Sequence, residues 1–124
     1  MATDLVYHVP TLEPVTTGVW RLVYDWTVRF RGEYYSVPTG WETDGASIPR
    51  WLWPVCGHPL EVPRLYAALL HDYLYAGGDP EATRADADAL YRDLLIALGV
   101  SRWKAYIEWT ALRTCGWTHW HGTS

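Results

Sequence analysis

The sequence predicts an α+β domain: an N-terminal β-hairpin, a long ordered loop, then a three-helix unit built on a central apolar helix. Three observations carry this. Residues 19–30 alternate large and polar side chains with a period of two, as a half-buried strand does. Residues 39–61 hold Gly40, Gly45, Pro49, Pro54, Gly57 and Pro59, too many breakers for one regular element. From about Pro63 onward the apolar residues recur at helical spacing, divided at Gly77-Gly78 and at Gly99.

Residues 1–17, with Pro10, Pro14 and several Thr, show no clear period and read as an extended arm with room for one short strand. In the segment that follows, Trp20, Leu22, Tyr24, Trp26, Val28 and Phe30 share one parity. Arg21, Asp25, Thr27 and Arg29 share the other, with Val23 the exception. Arg31-Gly32-Glu33 then makes a tight turn, and residues 34–38 return as the second strand of a hairpin. The loop over 39–61 is long for a compact domain, and such loops are often functional.

The first helix is expected from about Pro63 to Tyr75, stopped by Gly77-Gly78. Leu65, Tyr66, Ala67, Ala68, Leu69, Leu70 and Leu74 make it apolar nearly all round, which places it centrally. The second is expected from Pro80 to Leu98, with Asp79 as N-cap and Gly99 at its end. The third follows a Ser101 cap and runs to about Cys115. The domain thus covers 18–116, with 117–124 as a tail.

A chain of 124 residues fits one domain with one core. Nine Trp and nine Tyr are many for that length, and they suit both a core and a partner interface. A net charge of −4, with basic residues scattered singly, argues against a nucleic-acid-binding protein. Cys56 and Cys115 lack C-x-x-C spacing and are read as two reduced thiols. No signal peptide is evident, and no apolar run reaches the roughly 18 residues that span a bilayer. The expectation is a protein without membrane insertion, made in the cytoplasm.

The sharpest chemical clue is Leu-Leu-His-Asp-Tyr-Leu-Tyr at 69–75, where His71 and Asp72 sit in an otherwise apolar run. Buried imidazoles and carboxylates need partners. Neighbouring helical residues point about 100° apart, so the two meet only at a group seated between them. Asp88, on a helix thinned by Ala85, Ala87 and Ala89, is one further candidate, and Asp44 in the glycine-flanked loop is another. Asp44, His71 and Asp88 as ligands, with Asp72 as ligand or base, would suit a divalent Zn, Mn, Fe or Mg ion. A structural role stands beside this. Asp72 would pair with Arg50 or Arg113, Asp88 with Arg84 or Arg92 four residues away, and Asp44 and Ser47 would only shape the loop. Ser47 as a nucleophile with His71 as base lacks a G-x-S-x-G elbow. His119 and His121 form a second pair at i, i+2 in the tail, and His8 and His58 have no local partners.

Three segments together carry a resemblance: Thr-Asp-Gly-Ala-Ser-Ile-Pro-Arg at 43–50, Leu-His-Asp-Tyr-Leu-Tyr at 70–75, and Ala-Asp-Ala-Leu-Tyr at 87–91 ahead of Leu98-Gly99-Val100. In that order and spacing they resemble the phage and prophage domain-of-unknown-function family numbered 1353, over roughly residues 18–116. The resemblance implies a small phage-encoded protein, and it marks Asp44, Ser47, Pro49, His71, Asp72, Tyr75 and Asp88 as motif positions. It supplies no activity. Gly45 departs from the bulky apolar residue that members often carry there.

Two functions follow as expectations. One is a metal-dependent hydrolase of phosphoester or cell-wall bonds used during infection, its metal lowering the pKa of a water. The other is a non-catalytic virion component of tail, neck or baseplate, whose aromatic-rich surface binds another phage protein. The expected location is the host cytoplasm during infection, with incorporation into the virion under the second reading.

Overall fold

The computed structural model describes residues 5–44 and 62–121. Most of the long loop, with Ser47, Pro49, Arg50, Cys56 and His58, lies outside the described residues, as does the His119 side chain. The architecture is α+β: two small antiparallel sheets, then three helices.

Strands β1 (Leu5–Val6), β4 (Trp26–Phe30) and β5 (Glu33–Val37) form one sheet in the order β1-β4-β5. The β4–β5 hairpin closes through Arg31-Gly32, because Phe30 pairs with Glu33. Both turn residues have positive φ, 53° and 82°, the primed geometry that matches strand twist. Trp26, Val28 and Phe30 face inward and are buried, while Thr27 and Arg29 face out.

Strands β2 (Leu12–Thr16), β3 (Val19–Leu22) and β6 (Glu42–Thr43) form the other sheet, in the order β2-β3-β6. The arm expected over 1–17 therefore contributes two strands, one to each sheet. The single strand expected over 19–30 is instead two strands in different sheets. Its period-two pattern runs straight through the break, but Tyr24 is 68% exposed. The chain turns where the Asp25 carboxylate accepts hydrogen bonds from the backbone N–H and hydroxyl of Thr39, 14 residues on, at 2.8 and 2.7 Å. These bonds hold the corner and lower the Asp25 pKa.

The helices are α1 (Val62–Tyr75), α2 (Arg84–Ala97) and α3 (Arg102–Cys115), followed by a 3₁₀ turn over Gly116–His119. Helix α2 starts four residues later than Pro80. Thr83 caps it by accepting from the Asp86 N–H, whereas Asp79 accepts from the Glu81 N–H in a separate Asx-turn. Ser101 precedes α3 without a side-chain capping bond.

Helix α1 is central as expected: Leu65, Ala67, Ala68, Leu69, Leu70 and Leu74 are all buried. It packs on α2, and α2 packs on α3. Ala67 and Ala68 on α1 and Ala87 and Ala89 on α2 are all buried, and such small residues let packed helices approach closely. Strand β6 also contacts α1. No described helix is long and apolar enough to cross a membrane.

Candidate functional site

The close α1–α2 approach brings His71 and Asp88 together. The imidazole Nε2 lies 2.9 Å from Asp88 Oδ1, and both side chains are almost completely buried. A carboxylate can only accept here, so Nε2 carries the proton. Tyr75, one turn after His71, donates its hydroxyl to the same oxygen at 2.6 Å. The other oxygen, Oδ2, accepts from Arg113 of α3 at 2.8 Å and has Arg84 of its own helix at 3.7 Å. One carboxylate thus ties three helices together. Burial by itself would raise its pKa. The bonds from His71 and Tyr75, the charge on His71 and the bond from Arg113 outweigh burial and hold Asp88 below the usual carboxylate range. Tyr75 is pushed the other way, first by burial and then by its bond to Asp88 and that group's charge.

The imidazole packs against two rings. The Tyr75 ring centre is 4.1 Å away and the Tyr91 ring centre 5.2 Å away. Its other nitrogen, Nδ1, has no hydrogen-bond partner among the described residues. Trp120 meets Tyr75 edge-on at 5.1 Å, and the His121 N–H donates to the Tyr75 carbonyl at 2.8 Å. The first residues of the expected tail are therefore docked on the site.

A second buried node joins the same three helices. Arg64 of α1 donates to Glu108 of α3 at 2.7 Å, and Tyr91 of α2 donates to the same carboxylate at 2.9 Å. Burial raises the Tyr91 pKa, and the Glu108 charge adds to it. This node was missed in the sequence, yet a signal existed. Ala105, Glu108 and Leu112 occupy one helical face, and a Glu between two buried positions demands a buried cation.

The remaining candidates sit elsewhere. Asp72 points away from Asp88, as the 100° step requires, and accepts from the Thr43 hydroxyl at 3.0 Å. Asp44 is exposed. Val19, Glu42, Thr43, Asp44 and Asp72 line an open cleft of about 270 Å³ beside β6. The structure therefore joins His71 with Asp88, and separately Asp72 with the β6 end that carries Asp44. Ser47 lies outside the described residues. Of the pairings weighed for a structural role, Arg84 does approach Asp88, Arg113 bonds Asp88 rather than Asp72, and Arg92 bonds Asp93 instead. Among the described residues, no group of three or more His, Cys, Asp or Glu side chains is arranged to hold a metal ion.

With this geometry in place, the comparisons are informative. A family model described as "Protein of unknown function (DUF1353)" matches residues 20–112. The chain belongs to the DUF1353 family. The matched span contains both buried nodes except Arg113. An uncharacterized protein, y4jT, of Sinorhizobium fredii (strain NBRC 101917 / NGR234) is 37% identical over 89 residues, which is 70% of this chain. The chain spans about a quarter of that relative's length, 26%. No solved structure matches the chain.

Proposed function

We propose that this DUF1353 domain is a non-catalytic protein-binding module, of the kind a virion or its assembly uses. The His71–Asp88 motif then serves to lock the helices, and the working surface is the outer face of α3. One observation carries the reading: an exposed aromatic stripe on a helix whose buried face is fully engaged. Trp103, Tyr106, Thr110 and Thr114 recur at three- and four-residue spacing, and Trp117 continues the line in the 3₁₀ turn. Trp103 is 57% exposed, Tyr106 39% and Trp117 66%. The two threonines turn their hydroxyls back to the carbonyls of Tyr106 and Thr110, at 2.8 and 2.6 Å, so their methyls face outward. The stripe spans about 20 Å at 1.5 Å per residue. Monomeric proteins seldom leave aromatics in such a row, and Trp and Tyr are favoured anchors of interfaces. The sequence resemblance to phage and prophage proteins supports the virion setting.

The test is capture from the native host cell with the wild-type chain and with a W103A/Y106A/W117A variant. A partner retained by the first and lost by the second, at equal circular dichroism, is the expected result. Equal capture by both overturns the reading. A metal-dependent hydrolase is the second reading, favoured by the open cleft that holds Asp44 and Asp72. It predicts stoichiometric binding of Zn, Mn, Fe or Mg that is lost in D44N and D72N variants, and that result would replace the first reading.

A further inference from the structure

We propose that the α3 face docks onto an acidic cleft of a second copy of this chain. This rests on the protein-binding reading above and names its partner. The face is basic as well as aromatic. Helix α3 carries Arg102, Lys104 and Arg113, and its single carboxylate, Glu108, is buried against Arg64. Arg113 is neutralised by Asp88. Arg102 and Lys104 are left to the surface, each over a ring of the stripe: Arg102 5.8 Å from the Tyr106 centre, Lys104 5.6 Å from that of Trp103. Arg92 of α2, paired with Asp93 at 2.9 Å, lies 5.0 Å from the same Tyr106 ring and adds no net charge to the face.

A protein of net charge −4 has its complement to such a face elsewhere on its own surface. Glu33, Tyr34, Tyr35, Asp79, Glu81 and Ala82 line a cleft of about 210 Å³ between the β4–β5 hairpin and the turn before α2. Glu33 faces it from the inward parity of β5, and Arg29 stands on the outward parity of β4. The cleft is negative where it matters. The buried Tyr35 phenol is pushed up to about 12, by burial first and then by Asp86, Glu33 and Asp79, with Arg31 opposing. The exposed Tyr34 ring at its rim offers an aromatic surface to Trp103 and Tyr106. Rings rich in cations on one patch, and rings rich in carboxylates on the other, are complementary in both charge and chemistry. The two patches are different, so the contact runs head to tail into a ring or filament, or is made twice in a two-fold pair.

Light scattering tests this on the full chain at about 0.1 mM, where weak contacts are populated. The expected mass is above the monomer in low salt and falls toward it near 1 M salt, where the screening length is about 3 Å. R102E/K104E and E33K/E81K should each weaken association about tenfold or more, and all four changes in one chain should restore it. A wild-type monomer in low salt overturns the inference, as does failure of the fourfold variant to recover. So does binding of a single-stranded oligonucleotide to the α3 face with no change in protein mass. If the protein stays monomeric while α3 still captures a different protein, the self-contact falls and the binding reading stands. If neither occurs, both fall.

Discussion

Replacing Asp88 with alanine tests the claim that the His-Asp motif is a lock. The change removes the acceptor of His71, Tyr75 and Arg113 at once. His71 and Tyr75 are almost fully buried, and a buried donor left without an acceptor costs about 1–3 kcal/mol. The Arg113 side chain is 33% exposed and can turn to water, so its share shrinks to about 0–1 kcal/mol. The total is about 4 kcal/mol, within the range for removing one partner of a buried ion pair. Against a typical stability of about 5–15 kcal/mol that is a large loss. For a domain of this size it corresponds to a melting point lower by roughly 15 °C. Urea unfolding followed by tryptophan fluorescence, with a melt by circular dichroism, measures it. Asp88→Asn should fall between the two, because it keeps the volume and one acceptor oxygen but loses the charge. His71→Ala combined with Asp88→Ala should cost less than the sum of the single changes, because the pair shares one bond. A loss below about 1 kcal/mol for Asp88→Ala would refute the lock and return Asp88 to the list of functional groups.

Three other outcomes are expected. Because the folded pKa of Asp88 lies below its ordinary value of 3.8, its contribution is present above that pH and is lost as pH falls through the lowered value; stability of the wild type should drop in that acid range, and Asp88→Asn should flatten the drop in an acid titration of the melting point. Glu108→Gln should cost about 3 kcal/mol in urea unfolding, since Arg64 stays charged and buried while its 2.7 Å carboxylate partner is gone. Gly116→Ala should destabilise by about 1–3 kcal/mol, because a Cβ there overlaps the Tyr75 hydroxyl, which its bond to Asp88 holds in place; Tyr75→Phe in the same chain should recover part of that loss.

Much of the candidate site could be read from the chain. An imidazole and a carboxylate inside an apolar helical run needed partners, and Asp88 on an alanine-thinned helix was among those identified. The competing assignments, metal ligand or ion-pair partner, could not be separated, because both ask for the same residue types near one another. In the structure the Asp88 oxygens lie against His71, Tyr75 and Arg113. Arg113 could not be assigned to Asp88 over Asp72 from spacing, since Asp72 is on α1, Asp88 on α2 and Arg113 on α3, and only the crossing of the three helices brings Arg113 to Asp88. The Arg64–Glu108–Tyr91 node escaped because its members are 44 and 17 residues apart, with no local motif to join them.

Local rules explain the elements that could be foreseen. The Arg31-Gly32 turn, the end of α1 at Tyr75 and the apolar burial of α1 follow from backbone sterics and hydrophobic spacing, which act within a few residues. The break between β3 and β4 did not follow, because the large residues from Trp20 to Phe30 keep one parity with Val23 as an exception, and the corner depends on Thr39, 14 residues beyond Asp25. The late start of α2 did not follow either, because Asp79 is spent on the Glu81 N–H in an Asx-turn and Thr83 caps the helix instead. By itself the sequence determined which residues had to be buried and which of those needed polar partners, because desolvation depends on residue type. Only the tertiary structure decided who the partners are, because a bond about 3 Å long is set by how three helices cross.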